Sequence, residues 1–124
     1  MTPQAAGMKP AGRPPAQEPG RHTIRIAVED GRIKYLGPKG EDVTRIAVRR
    51  GDTIVWQSDH GNYAILFKSK TPFSDVGFHG HRGMPSYQAT VIGVNDEYHY
   101  AVTVIPPDGQ PIVDDPVIIV NDGD

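Results

Sequence analysis

His79-Gly80-His81 places two imidazoles two residues apart. Side chains at i and i+2 of an extended segment point to the same side, so the pair can chelate Zn2+ or Cu2+. His60, from a facing loop, is a candidate third ligand. Three nitrogen ligands with an open position would suit type 2 copper or catalytic zinc. The competing reading of Gly77-Phe78-His79-Gly80-His81-Arg82-Gly83 is a polar, glycine-rich surface loop with two exposed histidines. The only carboxylate nearby is Asp75, which adds nothing to the metal reading.

Other chemistry has less support. The 124 residues include no cysteine, which removes disulfides, thiolate nucleophiles, iron–sulfur clusters and thiolate metal sites. There is no G-x-S-x-G elbow and no HExxH pair. Asp114 and Asp115 are neighbours on chain expected to be extended, so their carboxylates face opposite sides; they make a poor acid–base pair and a good turn before Pro116. His99 falls on the outward face of its strand and His22 at a surface junction. Tyr98 and Tyr100 suit a core and its rim better than a cofactor site.

A net charge of −2 leaves no electrostatic footprint for nucleic acid. No apolar run approaches the ~18 residues that would span a bilayer, no polybasic stretch marks a membrane contact, and the N-terminus has no apolar signal-peptide core. The expected compartment is cytoplasmic if Met1 is the native start, and periplasmic if a signal peptide has been removed. Lys68, Lys70 and Arg82 give residues 68–86 a local positive bias.

These groups must be positioned by strands. Ile24, Ile26 and Val28 alternate with Thr23, Arg25 and Ala27, the period-2 pattern of a half-buried strand. Asp30-Gly31 is a preferred pair for a two-residue type I′ hairpin, and Ile33 and Tyr35 resume the alternation beyond it. Gly37-Pro38-Lys39-Gly40 is a turn. Ile46 and Val48 mark a third strand, Thr53 to Gln57 a fourth, and Tyr63, Ile65 and Phe67 a fifth, with Ala64 and Leu66 on its other face. A long loop over 68–86, with one short extended piece, leads to a sixth strand over Tyr87 to Val94. Tyr98, Tyr100, Val102 and Val104 give a seventh, and Val117 to Val120 reads as a buried final strand. About eight short strands with no helical period predict an all-β sandwich, or a small barrel built from the same strands. Trp56, Ile65, Phe67, Tyr100, Val102 and Ile119 are the predicted shared core.

Residues 1–20 differ in kind. Twelve of the twenty are Ala, Gly or Pro, too little apolar surface to offset ordering entropy. They are expected to form a disordered, dispensable tail; the prolines make no clean PxxP ligand.

Arg50-Gly51-Asp52-Thr53-Ile54-Val55-Trp56 resembles the G-D-x-[VI]-x-[WF] segment of the cupredoxins, the plastocyanin- and azurin-like β-sandwiches. Pro72-Phe73 fits the same framework, and Tyr98-His99-Tyr100-Ala101-Val102 resembles the Y-x-Y-x-C strand that leads into their copper site. The resemblance implies a single antiparallel Greek-key sandwich over residues 21–124. It also locates what is missing. Val102 stands where the family has its copper-binding Cys, Thr103 to Gln110 holds neither the later His nor the Met, and the upstream His position falls near Ala64, with His60 about four residues early. Blue copper takes two His and a Cys with an axial Met. The chain therefore resembles the copper-less, cupredoxin-like bacterial domains.

The expected function is that of a non-enzymatic interaction or structural module. It holds no resident cofactor and meets a partner protein through residues 68–86, because long loops on a rigid scaffold are where binding surfaces sit. The alternative is a metal-binding protein using His79, His81 and His60.

Overall fold

A computed structural model describes residues 20–86, 88–107 and 109–121. Ten strands are present among them: β1 (Arg21–Glu29), β2 (Arg32–Leu36), β3 (Arg45–Val48), β4 (Thr53–Ser58), β5 (Asn62–Phe67), β6 (Gly77–Gly80), β7 (Ala89–Thr90), β8 (Asp96–Ile105), β9 (Ile112–Asp114) and β10 (Val117–Val120). They form two packed sheets. The smaller has the order β2-β1-β4-β7; the larger has the order β3-β10-β8-β5-β6, with β9 also pairing along β8. No helix in the described residues is long and apolar enough to cross a membrane. The expected tail, apart from Gly20, lies outside the described residues.

Local sequence explains most of the elements. Ile24 and Ile26 are buried while Arg25 between them is exposed, and β1 turns into β2 through Asp30 and Gly31, both at positive φ (54° and 75°), as a type I′ hairpin requires. Alternation also sets β5 and β8: Tyr63, Ile65, Phe67, Tyr98, Tyr100, Val102 and Val104 all point inward.

Two pairings run parallel. The chain leaves the small sheet after β2, crosses to β3, and returns at β4 beside β1, with Ile24 opposite Trp56 and Ile26 opposite Ser58. In the large sheet β3 lies parallel to β10, with Ile46 opposite Ile118. The remaining pairings are antiparallel, so the sandwich is made of mixed sheets.

Three expectations are corrected. The strand predicted over Tyr87 to Val94 is only the two-residue β7, because the Val91 amide turns to the Asp52 carbonyl and the amides of Ile92 and Gly93 both turn to the Pro72 carbonyl. The short extended piece expected within 68–86 is strand β6 at residues 77–80, and residues 112–114 form a further strand, β9, that the sequence reading did not list. In β10 it is Ile118 that is buried, with Ile119 only partly so.

The core is centred on Trp56, which has no exposed surface. Phe78 stacks on its ring at 5.5 Å, and Phe73 and Tyr100 meet it edge-on at 5.8 and 5.9 Å. Phe67 packs against both Phe73 and Tyr100. Phe73 and Phe78 come from the segment predicted as a loop. That segment is thus anchored in the core and presents its remaining side chains from a fixed base.

Candidate functional site at the β4–β5 end of the sandwich

β1 outruns its parallel partner. The last paired residue of β4 is Ser58, opposite Ile26, whereas β1 continues to Glu29. On its β4 side the amide of Val28 is left without a partner strand and donates instead to His60 Nδ1 at 3.2 Å. His60 therefore caps β1 through Nδ1. Ser58 is fully buried, and its Oγ accepts from the amides of His60 and Gly61 at 3.4 and 3.3 Å. This holds the 59–61 turn in place. Asp59 turns outward to Arg25, with Oδ2 at 3.3 Å from Nε.

Two further segments close on this turn. At Gly61 a Cβ would stand 2.2 Å from the Ile105 carbonyl oxygen, so only glycine lets the end of β8 approach. From the other side the Arg82 amide donates to Asn62 Oδ1 at 3.1 Å and the Gly83 amide to the Ser58 carbonyl at 2.9 Å. Ser86 then pins the segment, its amide donating to the Trp56 carbonyl and its Oγ accepting from the Trp56 amide. The result is a cleft of about 250 Å³ lined by Val28, Asp59, His60, Arg82, Pro106 and Pro107. On the segments that meet there, Met84 is 60% exposed and Ile105 50%.

The expected metal ligands are distributed as follows. His60 is in the cleft with Nδ1 engaged by the Val28 amide. His79 is exposed on the outer face of β6, opposite Ala64, in a row that continues through Thr103 to Val113. His81 is exposed just past the end of β6. Among the described residues no three His, Asp or Glu side chains are grouped so as to hold a metal. The two positions that the resemblance pointed to face different sides of the sheet. Val102 is fully buried opposite Ile65, whereas Ala64 is exposed on the outer face.

One charged site escaped sequence reasoning. His22 is half-buried, with Nε2 2.9 Å from Asp52 Oδ2. Asp52, 5% exposed, also accepts from the amides of Gly20 (2.7 Å) and Arg49 (2.9 Å). Burial pushes its carboxyl up, but the Arg49 and Gly20 amides and His22 outweigh that and hold it below the usual carboxylate range. Only the Gly51-Asp52 pair hinted at this clamp; a partner thirty residues away carries no local signal.

No protein-family model matches the chain, and no curated protein sequence matches it. Solved structures share its architecture. A chain from the cryo-EM structure of a heme-copper terminal oxidase dimer matches with a TM-score of 0.55 and 14% identity, over 85% of this chain and 67% of that one. Two reduced amicyanin variants match with TM-scores of 0.48 and 13% identity, over 80% and 86% of this chain and 82% and 89% of theirs. Identity this low speaks to the fold alone. The chain is a cupredoxin-like β-sandwich, and it has no cysteine for a type 1 copper.

Proposed function

We propose that this protein is a non-enzymatic interaction module that uses the β4–β5 end of its sandwich, with the 82–86 part of the 68–86 segment, to dock a partner protein. The observation that carries the reading is Met84, a large apolar side chain 60% exposed on a segment fixed by core hydrogen bonds at Gly83 and Ser86. Beside it the cleft offers prolines with Arg82, Asp59 and His60 at its rim. An apolar centre with a polar rim is the composition of a docking surface, and a pre-formed one loses little entropy on binding.

The same geometry supports a binding role over catalysis. A general base needs a lone pair facing its substrate, and the Nδ1 lone pair of His60 is engaged by the Val28 amide, while the Asp59 carboxylate is paired with Arg25. Blue-copper electron transfer is not proposed, since the thiolate that such a site needs has no counterpart.

The test is site-specific photo-crosslinking in the native cells, with the probe at position 84 or at the exposed Ala47 of β3. A discrete protein adduct from 84 and none from 47 supports the docking end. The same pattern from both positions, or no adduct from 84, overturns it.

A further inference from the structure

A second cleft, sharing no lining residue with the first, opens where edge strand β2 of the small sheet comes against β9 of the large one. Its volume is about 360 Å³ and its lining is Gly31, Arg32, Ile33, Ile112, Val113 and Asp114. That is within the size range of small-molecule sites. The two charged residues are of opposite sign, and neither is in an ion pair among the described residues, whereas the charges beside them are. Glu29, the cross-strand neighbour of Arg32, is held by Lys34. Asp115, next to Asp114, is held by Lys68 at 2.7 Å. The residues between Arg32 and Asp114 in the lining are aliphatic, with Ile112 on the same face of β9 as Asp114.

Tyr35 adds an independent observation. It follows Ile33 on the inward face of β2, is 1% exposed, and its hydroxyl has no hydrogen-bond partner among the described residues. After burial, the Asp114 carboxylate is the largest influence that pushes that hydroxyl up. A buried hydroxyl without a partner is costly, and here it adjoins a carboxylate that lines the cleft.

We propose that this cleft binds a small zwitterion with an apolar body, a free α-amino acid of the leucine type. The Arg32 guanidinium takes the carboxylate, in the forked geometry that suits it. Asp114 takes the ammonium, and the side chain lies on Ile33 and Ile112. A simple cation would meet Arg32 and a simple anion would meet Asp114; only a ligand carrying both charges satisfies both residues. With one oxygen of Asp114 fixed by the ammonium, the other can accept from the Tyr35 hydroxyl.

The experiment is calorimetric titration of the full chain with L-leucine, with isocaproate, which lacks the ammonium, and with isopentylamine, which lacks the carboxylate. Leucine should bind saturably, and each analogue about tenfold or more weaker, the loss expected of one charge-assisted contact. Arg32→Gln should weaken leucine about tenfold and leave isopentylamine no weaker; Asp114→Asn should do the converse with isocaproate. Tyr35→Phe should weaken leucine severalfold. Both charged residues are exposed, so their variants should keep the parent melting temperature. Absence of saturable leucine binding, leucine binding no tighter than either analogue, or affinity unchanged in both Arg32→Gln and Asp114→Asn would overturn the proposal.

Discussion

Asp52 shows how one residue joins two distant parts of this chain. Its carboxylate ties the start of β1, through Gly20 and His22, to the turn ahead of β4, through Arg49. A carboxylate held below its unfolded range stabilises the fold at pH values above that range, and the contribution is lost as pH falls through the folded-state value. Asp52→Asn should therefore be destabilising at pH 7, by about 1–3 kcal/mol, since an amide cannot accept from all three donors. The gap between variant and parent should narrow on acidification below about pH 4, the unfolded carboxylate value. Melting curves at pH 7 and pH 2.5 measure it, and a gap that does not change with pH would show that the carboxylate charge is not what matters. Trp56 makes the matching case for the core. It has no exposed surface and touches aromatic rings from β6, β8 and the 68–76 stretch, so Trp56→Ala should cost about 3–5 kcal/mol. A denaturant-derived cost under about 1 kcal/mol would contradict that packing.

Elements differ in how far their own residues specify them. The β1–β2 hairpin was legible because Asp30-Gly31 and the flanking alternation are local signals. β4, β5 and β8 were legible for the same reason. β10 was legible as a strand but not in its facing: Val117-Ile118-Ile119-Val120 is apolar throughout, so period 2 is invisible in it. Tertiary neighbours decide it. Ile118 lies between Ile46 and Tyr98 on the core side, while Ile119 lies between Ala47 and Glu97 on the outer side. Ile118→Ala should accordingly cost about 2–5 kcal/mol, and Ile119→Ala about 1 kcal/mol or less. Equilibrium unfolding in urea decides the order, and a larger loss at Ile119 would reverse the assigned facing. The parallel pairing of β1 with β4 was not legible, because alternation identifies a strand's face and says nothing of its partner. β6 was legible only as an unplaced short extended piece, because its two glycines blur the alternation, and its bounds come from pairing with β5.

At the scale of the whole molecule, the histidines show why residue types do not amount to a site. His60, His79 and His81 were legible as the only imidazoles with ligand-like spacing, and the family resemblance located the copper positions they do not fill. What was not legible was their placement by the two sheets. His60 is committed to the free end of β1, His79 stands on the outer face of β6, and His81 follows beyond the strand end. A stable metal site needs three or four converging ligands, each held by further bonds, and two exposed imidazoles offer less than that. Binding an ion would also immobilise side chains that are otherwise free to rotate, which lowers affinity further. Cu(II) and Zn(II) should therefore bind weakly in calorimetric titration, with little change in the His79→Ala/His81→Ala double variant. Any copper complex should lack the intense visible band of a thiolate site, since that band is charge transfer from cysteine sulfur. Tight one-to-one binding that the double variant abolishes would replace the interaction-module reading with a metal-binding one. Tight binding that instead disappears with His60→Ala would place the metal in the cleft beside Arg82, where the Val28 amide would first have to give up its acceptor.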